Sequence, residues 1–488
     1  METSYDEIRY PGAPLEPTHP SRLAALATLF GMEPAPVERC RVLELGCGDG
    51  SNLLPMAADL PEARFVGFDL ARTAIDAGNR AASELGVTNL RLEHASILDL
   101  DPALGLFDYI IAHGVYSWVA PEVQDKLLAI AGGNLAPQGV AYISYNALPG
   151  CRIRQMLREI LLFHTCHSAD AGERIAKARE MLNVLMLAPE SSESVIPALL
   201  KEEAADMLRR APYLLFHDVL AEEWHPVHFT EFIAHASRHG LQYLAEANAH
   251  DMEPRRFSRE LRDALNSHSQ TRLDREQYMD FLKCRRFRRT LLCRRELPLS
   301  EDDMAGRVRT LYISSSAVIN PPQPDLTGPA TVEFQGLRGA ALSTSHPLAK
   351  TAMAHLTGIW PEAAHFDRLR EHCGSILGSP ADAALLARIL LGGFKTGLVQ
   401  LRTHPPRCVS RPGSHPAAPA LARWQAANGS TLTSQRHTAV EITNEDRAIL
   451  RLLDGIRDLR AVAGEAAQAT TDTAAAIARL AHLGLLIS

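Results

Sequence analysis

The chain has 488 residues, a net charge of -7 and 22% charged side chains, which is typical of an ordinary acidic protein with more than one domain. It lacks the overall basicity of a dedicated nucleic-acid-binding protein. Its eight cysteines include no C-x-x-C pair and its apolar stretches are shorter than a membrane-spanning helix, so we expect a cytoplasmic protein without membrane insertion.

Residues 1–37 predict an N-terminal arm. The segment contains several prolines, followed by a predicted helix from Ser21, its N-cap, to Phe30. The arm either packs on the following domain or covers the ligand of that domain as a lid.

From residue 38 the chain alternates short apolar runs with helical stretches. Strands joined by such helices indicate right-handed crossovers and a mostly parallel α/β sheet. In these sheets a ligand binds beyond the carboxyl ends of the strands. The predicted strands are Val42–Leu45, Arg64–Phe68, Leu90–Glu93, Tyr109–Ala112 and Val140–Tyr145, and the predicted helices are Ser51–Leu60, Arg72–Leu85 and Pro121–Leu135.

The first strand runs directly into a glycine-rich loop. Gly46, Gly48 and Gly50 allow backbone to approach a ligand closely. Asp69 ends the second strand 19 residues after Gly50, where a carboxylate can hydrogen-bond ribose hydroxyls. A dinucleotide fingerprint needs glycine at position 51 or 53, and serine and leucine stand there, which argues against NAD. The loop suits a ligand made of an amino acid and a nucleoside, without a pyrophosphate.

The later strands also end in candidate ligand contacts. Ser96 and Ile97 follow the third strand and are candidates to line an adenine ring. The fourth strand ends in an aromatic and polar run from His113 to Trp118, in which His113 is as suited to contact a cofactor as to act in catalysis. The other histidines, His225 and His228 among them, show no metal-ligand spacing, so we expect no metal site.

Five segments carry a family resemblance: THPSRLAALATLFGM, CRVLELGCGDGSNLLPMA, FDYIIAHGVYSWV, NLAPQGVAYISYNALPG and HGLQYLAEA. They resemble class I S-adenosylmethionine-dependent methyltransferases, and more narrowly the bacterial ones with a methyltransferase regulatory domain. That group includes protein-lysine methyltransferases acting on bacterial outer-membrane protein. The resemblance implies a Rossmann-like domain and a homodimer. Cys151 departs from it, because related sequences tend to have an aromatic residue there.

The resemblance also implies S-adenosyl-L-methionine as the cofactor. The expected contacts cluster around the ends of the first four strands, with the glycine loop at their centre. They are Glu44, Gly46, Cys47, Gly48, Gly50, Asn52, Asp69, Leu70, Ser96, Ile97 and His113.

The expected catalytic residues are Tyr116, Trp118, Tyr145 and Asn146, after the fourth and fifth strands. Methyl transfer from a sulfonium depends on positioning and on exclusion of water, without an obligatory strong base. Aromatic rings attract the positive sulfonium or a methylammonium. Tyr116 is a candidate to orient the acceptor or briefly take its proton, and Asn146 a candidate to accept a hydrogen bond from the amine.

The function predicted in this way is methyl transfer to lysine side chains of a protein substrate. The resemblance, a bulky insertion and several accessory domains favour it. Two alternatives stay open: a methyltransferase of a small metabolite or RNA, and a non-catalytic regulator that senses S-adenosylmethionine.

The predicted domains follow the changes in pattern along the chain. A helical insertion over 151–215 interrupts the catalytic domain, and the Pro-rich stretch near 321 marks a boundary. The arginine-rich run Lys283–Arg289 predicts an exposed helix paired with acids such as Asp280, and nucleic-acid binding is not favoured. The domains are a catalytic domain over 38–250, a helical regulatory or connector region over 251–320, a winged-helix-like module over 321–410 and a C-terminal appendage over 411–488.

Overall fold

The computed structural model describes residues 7–168, 170–187, 194–255, 257–429, 431–466 and 472–488. Within them, the first helix is α1 (Pro20–Leu29), which is buried along most of its length. Its N-cap is His19, whose Nδ1 accepts a hydrogen bond from the backbone N–H of Ser21 at 3.2 Å. The N-cap therefore lies two residues before the predicted one, because the imidazole of His19 provides the cap that we expect from Ser21.

A seven-stranded sheet forms the centre of the fold. Its order is β3-β2-β1-β4-β5-β7-β6. The first five strands pair in parallel, and β7 lies antiparallel between β5 and β6. The strands are β1 (Arg41–Leu45), β2 (Arg64–Asp69), β3 (Leu90–His94), β4 (Phe107–Ala112), β5 (Leu135–Asn146), β6 (Leu241–Glu246) and β7 (Phe287–Arg294).

Helices cover both faces of this sheet and extend beyond it. α4 and α9 lie on one face, where their apolar residues share a core with β4 and β5. Between β5 and α9 the chain forms a four-helix insertion with its own small core, which includes Leu157, Leu182 and Met207. The helices are α2 (Leu53–Asp59), α3 (Arg72–Glu84), α4 (Pro121–Asn134), the insertion helices α5 (Arg152–Thr165), α6 (Ala171–Met186), α7 (Ile196–Arg209) and α8 (Pro212–Asp218), and α9 (Phe229–Arg238).

The arginine-rich run leaves a helix at Lys283 and enters a strand at Phe287, so it is not the predicted exposed helix. Two helices, α10 (Arg259–His268) and α11 (Arg272–Lys283), precede it, and β7 then enters the central sheet, so the sheet is completed well beyond residue 250. Arg288 is fully buried. Its guanidinium bonds to Asp280 at 2.8 Å and Glu246 at 2.6 Å. Only the folded chain brings these carboxylates together, and they make a buried arginine tolerable.

The segment over residues 304–402 packs against the face of the sheet opposite α4 and α9. It shares its core with α1. It contains two three-stranded antiparallel sheets with the orders β11-β10-β9 and β12-β8-β13. Its elements are α12 (Met304–Arg307), β8 (Tyr312–Ser314), β9 (Val318–Asn320), β10 (Val332–Gln335), β11 (Ala341–Thr344), α13 (Pro347–Gly358), β12 (Ala364–His365), α14 (Phe366–Leu377), α15 (Ala383–Thr396) and β13 (Gln400–Arg402).

The last unit has a hydrophobic core of its own, which includes Leu432, Ile449 and Leu480. It consists of a two-stranded antiparallel hairpin and four helices: α16 (Ala420–Asn428), β14 (Leu432–Thr433), β15 (Ala439–Val440), α17 (Asn444–Leu452), α18 (Leu459–Ala466) and α19 (Thr473–His482). Across the whole described part of the chain, no helix combines the length and the apolar character needed to cross a membrane.

Candidate active site

The glycine loop follows β1 at the carboxyl edge of the sheet. Gly46 and Gly48 have positive φ angles of 75° and 56°, which side chains other than glycine rarely adopt. A Cβ at Gly46 would lie 2.4 Å from Val115, whereas a Cβ at Gly48 would meet no atom within 4 Å. Packing therefore requires glycine at 46, and the backbone at Gly48 borders open space in which a ligand can approach.

Asp69 closes the loop from the end of β2. Its carboxylate accepts hydrogen bonds from the backbone N–H groups of Gly48 at 2.7 Å and Ala71 at 2.8 Å. Burial raises the pKa of this carboxyl, and the backbone hydrogen bonds oppose that shift. Two oxygens offer about four acceptor positions, so the carboxylate can hold the loop and still accept from a ligand's hydroxyls.

Glu44 provides a buried acceptor beside the loop. Its Oε1 accepts a hydrogen bond from Asn52 Nδ2 at 2.9 Å, while its Oε2 is buried and has no hydrogen-bond partner among the described residues. Burial raises the pKa of Glu44 to about 8. An unpaired buried carboxylate oxygen is costly unless a ligand satisfies it, and a cation is the most effective partner. The site therefore fits a ligand that is positively charged near the glycine loop.

Asn52 joins three distant parts of the chain at this site. Its Oδ1 accepts hydrogen bonds from the backbone N–H of Leu15 at 2.9 Å and from His437 Nε2 at 2.8 Å. Its Nδ2 also donates to Thr18 at 3.1 Å. The N-terminal arm thus packs directly against the support of the loop, and so does the last unit of the chain.

The remaining predicted cofactor contacts lie along the same edge. Cys47 is buried within the loop, and its thiol packs so closely on Gly67 that a Cβ at Gly67 would lie 2.7 Å from its sulfur. Leu70 is half exposed beside Asp69. Ser96 uses its hydroxyl to accept a hydrogen bond from Leu98 N–H at 3.2 Å, and Ile97 follows it as a partly buried residue.

His113 is held in place at the end of β4. Its Nδ1 lies 2.9 Å from the hydroxyl of Tyr142, and its ring meets Phe287 edge-on at 5.8 Å. Burial lowers the pKa of His113 to about 4, with a smaller contribution from Arg289. The imidazole is therefore neutral at physiological pH and suits a contact with a neutral group or an aromatic base.

Tyr116 and Tyr145 are core residues in the structure. The hydroxyl of Tyr116 lies 2.8 Å from His235 Nδ1 on α9, and that of Tyr145 lies 3.1 Å from Thr290. Both rings pack against Phe232. Burial raises the pKa of both phenols, so a phenolate that could take a proton is strongly disfavoured. Their contacts fit a supporting role better than the direct roles predicted from the sequence.

Trp118 and Asn146 remain available for an acceptor. The short helical turn Tyr116–Trp118 ends in Trp118, whose ring stacks on Trp224 at 6.1 Å. The side-chain amide of Asn146 has no hydrogen-bond partner among the described residues, while its backbone N–H is held by Ser117 Oγ at 2.9 Å. Ser117 therefore joins the backbone of Asn146 to the backbones next to Trp118 and Trp224, since its carbonyl accepts from His225 N–H, at the carboxyl ends of β4 and β5.

Trp224 and His437 are the site residues that the sequence reasoning misses. Trp224 lies in the segment between the insertion and α9, and its indole N–H is buried without a hydrogen-bond partner in the described part of the chain. The next residue, His225, donates its backbone N–H to the carbonyl of Ser117 at 2.8 Å. The local sequence signal for Trp224 is a tryptophan in a predicted loop after a large insertion.

Cys151 has a structural environment. Its thiol is buried and donates to the carbonyl oxygen of Arg286 at 3.1 Å, just before α5 begins. Burial raises the pKa of the thiol to about 11, so it is neither a thiolate nor a pocket-lining group. The departure from the family pattern at this position thus has a packing explanation.

Comparison with known proteins assigns the domains. Residues 42–139 match a methyltransferase domain, residues 211–294 match a family described as "predicted methyltransferase regulatory domain", and residues 414–481 match a family described as "PKMT, C-terminal winged helix domain". The regulatory domain thus supplies β6 and β7 of the central sheet. The winged-helix match lies in the segment predicted to be an appendage and not over 321–410. The reason is that both segments combine short strands with several short helices, three in 321–410 and four in the last unit.

Two relatives match nearly the whole chain. An uncharacterised protein of Rickettsia prowazekii is 33% identical over 474 residues, which cover 94% of this chain and 84% of that protein. The solved structure of PKMT2 from Rickettsia typhi superposes with a TM-score of 0.87 at 26% identity and covers 98% of this chain and 100% of that one. The same protein in complex with AdoHcy gives the same TM-score at 25% identity. The chain belongs to the bacterial S-adenosylmethionine-dependent methyltransferases that carry a methyltransferase regulatory domain and a PKMT-type C-terminal winged helix.

Proposed function

We propose that this enzyme transfers methyl groups from S-adenosyl-L-methionine to lysine side chains of a protein. The observation that carries the proposal is the stacked pair Trp118 and Trp224, which Ser117 links through backbone hydrogen bonds to Asn146 at the end of β5. The similarity of the whole chain to PKMT2 supports the same substrate class.

The residues around the glycine loop would hold the cofactor. Asp69 can accept hydrogen bonds from ribose hydroxyls, Gly48 leaves room for the methionyl part, and Glu44 offers its unpaired Oε2 to a positive group. When bound, S-adenosylmethionine supplies an electrophilic methyl group on a positive sulfur. The chain contributes placement of the donor and exclusion of water.

The acceptor side suits a lysine amine. The amine must be neutral to react, and an ordinary ammonium titrates near pH 10.4. Contact with the two indole rings removes water from the amine, which favours its neutral form. The rings also attract the methylated ammonium that forms. The side-chain oxygen of Asn146 can accept a hydrogen bond from the amine and direct its lone pair toward the methyl group.

The insertion makes a macromolecular acceptor more suitable than a small one. It begins directly after β5, and its return segment brings Trp224 against Trp118. Glu203 of the insertion pairs with Arg154 at 2.8 Å and Arg286 at 2.5 Å, which fixes the insertion to the regulatory domain. A rigid helical structure beside the acceptor position is suited to position a protein surface.

The test uses the full chain with S-adenosylmethionine labelled on its methyl group, together with bacterial lysate separated into protein, RNA and small molecules. We expect the label in protein, on lysine residues identified by mass spectrometry. Label confined to RNA or to small molecules would overturn the lysine assignment in favour of those acceptors. Binding without any transfer would favour the non-catalytic, cofactor-sensing alternative.

Asp69→Ala provides the control that links transfer to this cofactor site. We expect cofactor affinity to fall by more than tenfold, since hydrogen bonds to a charged group contribute roughly 1.5 to 3 kcal/mol. The matched control is Asp76→Ala, which removes an exposed carboxylate from α3. Equal affinity in both variants, measured by isothermal titration calorimetry, would contradict the assignment of Asp69.

The proposal includes a cytoplasmic location and a homodimer. All eight cysteines lie in the described part of the chain as free thiols, which fits a reducing compartment. The dimer is implied by the family resemblance. Size-exclusion chromatography with light scattering would measure it directly, and a monomer at micromolar concentration would contradict it.

A further inference from the structure

A cluster of metal-ligand side chains lies outside the proposed active site. Asp125 on α4, His235 on α9 and His239 just after α9 each offer one ligand atom, and these atoms all lie within 4.8 Å of one another. The Nε2 atoms of His235 and His239 lie 3.1 Å and 2.9 Å from the same oxygen, Asp125 Oδ1. We propose that these three residues bind one divalent transition-metal ion of the zinc class.

The geometry of the histidines supports this proposal. His235 lies in the last turn of α9 and His239, four positions on, is its C-cap, so both lie on one side of the helix end and their Nε2 atoms meet at the same oxygen. Two imidazoles and one carboxylate form a donor set that zinc uses in proteins, with a further position left for water. Magnesium and calcium prefer oxygen donors, so the two nitrogens select against them.

The second ring nitrogen of His235, Nδ1, also has a hydrogen-bond partner. Its Nδ1 lies 2.8 Å from the hydroxyl of Tyr116, whose ring is buried in the core. Histidine ligands are commonly oriented by a hydrogen bond to the nitrogen that does not bind the metal. Tyr116 thus directs Nε2 of His235 outward to the position shared with Asp125 and His239.

The two oxygen-to-nitrogen distances need only a small change to admit an ion. Tetrahedral ligands at about 2.0 to 2.2 Å from zinc lie about 3.3 to 3.5 Å from one another. The oxygen-to-nitrogen distances of 2.9 Å and 3.1 Å must therefore open by a few tenths of an ångström. Asp125 can move by this amount, because 56% of its side chain is exposed.

The bound ion would connect α4, α9 and the turn that carries Trp118. Asp125 lies on α4 and both histidines lie at the end of α9, so one ion would fix the two helices together. His235 in turn contacts Tyr116, the first residue of the turn Tyr116–Trp118. The site is therefore a clamp that supports the acceptor side of the enzyme from its outer surface.

The experiment titrates tag-free full-length protein with zinc chloride in a calorimeter. The exposed Cys166 and Cys284 are replaced by serine throughout, so that thiols do not supply a competing site. We expect one ion per chain, and at least tenfold weaker binding in both Asp125→Asn and His239→Ala. The matched control is His167→Ala, which removes an exposed histidine from outside the cluster. Unchanged zinc affinity in the two site variants, or no binding at one ion per chain, would overturn the proposal.

Two further measurements separate a specific site from a folding defect. Zinc should raise the melting temperature of the parent protein and of His167→Ala, but not that of Asp125→Asn, which keeps the shape of the side chain. Cobalt serves as a spectroscopic probe, since nitrogen and oxygen ligands give d–d bands without the intense thiolate charge-transfer band. A thiolate band would place the ion at cysteine and contradict the site.

Discussion

Protonation of Glu44 is expected to be coupled to cofactor binding. Burial raises the pKa of its carboxyl to about 8 from an ordinary value of 4.5, and the hydrogen bond from Asn52 opposes this shift. Between about pH 4.5 and pH 8, the carboxyl therefore keeps its proton in the folded, ligand-free chain but has released it in the unfolded chain. A positively charged ligand beside Oε2 would favour the ionised form instead.

This difference predicts opposite pH dependences for stability and binding. The free energy of unfolding of the ligand-free protein should fall as pH rises from about 4.5 to about 8, with a slope of up to about 1.4 kcal/mol per pH unit from this one group. The affinity for S-adenosylmethionine should rise over the same range. Glu44→Gln should flatten both dependences, measured by urea unfolding and calorimetry. If the glutamine variant keeps both slopes, other groups cause them.

The aromatic pair predicts a separation between cofactor binding and turnover. Trp224→Ala should leave the Kd for S-adenosylmethionine within about twofold, and should lower kcat/KM for the protein acceptor by about tenfold or more, because one wall against the amine is lost. Trp118→Ala should behave in the same way. Trp424→Ala is the matched control, since that indole lies in the last unit of the chain and donates to Glu84 of α3 at 2.8 Å. Weakened cofactor binding with normal turnover would instead assign Trp224 to the cofactor site.

At the scale of elements, the contrast between β1 and β7 shows what local sequence can reveal. β1 is an apolar run followed by glycines, and it is recognisable because burial on both faces requires such a run. β7 carries three arginines, and Arg288 is buried only because Glu246, Glu276 and Asp280 surround its guanidinium. These carboxylates come from β6 and α11, so no local pattern predicts the strand.

The insertion is the element expected to determine the acceptor. Its two ends meet, since Ala147 and Val227 form a β-bridge and Leu148 N–H donates to the carbonyl of Val227 at 3.0 Å. Residues 152–222 can therefore be replaced by a short Gly/Ser linker that retains Trp224. We expect nearly unchanged cofactor affinity, and loss of methyl transfer to protein by more than about a hundredfold. Transfer at the parental rate would refute the role of the insertion.

A control variant for this deletion tests whether attachment of the insertion matters. Glu203→Gln removes the charge that pairs with Arg154 and Arg286 but keeps the helices in place. It should reduce transfer only partly, without changing cofactor affinity. An effect on cofactor binding would show that the insertion supports the donor site as well.

At the scale of the whole molecule, the winged-helix unit reaches the cofactor loop. Arg436 extends from it to the hydroxyl of Ser314 at 2.9 Å, and His437 donates to Asn52 at 2.8 Å. Asn52 in turn donates to Glu44. Burial lowers the pKa of His437 to about 3, so this imidazole stays neutral throughout the physiological range.

This chain of hydrogen bonds predicts that the last domain influences cofactor binding. His437→Gly removes the imidazole and suits the positive φ of 61° at this position. We expect cofactor affinity to fall by about threefold to tenfold, on the scale of one buried hydrogen bond of about 1 kcal/mol. His482→Ala, an exposed histidine of the same domain, should have no effect. Equal calorimetric Kd values for the two variants would show that the contact does not support the loop.

The sequence by itself predicted the strands and the loop that would form the donor side of this protein. The five parallel strands, the glycine loop and the position of Asp69 were predicted from short segments, because a ligand at a strand end is held by residues that are close together in the chain; the order of the strands in the sheet was not. Family resemblance added the cofactor and the accessory domains.

Only the tertiary structure decided the rest. It brought Trp224 against Trp118, committed Tyr116 and Tyr145 to core hydrogen bonds, buried Arg288 among carboxylates and joined His437 to Asn52. Each of these contacts depends on partners from separate elements, and a side chain's burial and hydrogen bonding set its chemistry. The sequence lists the groups, but which of them stay free for an acceptor depends on what the fold places beside them.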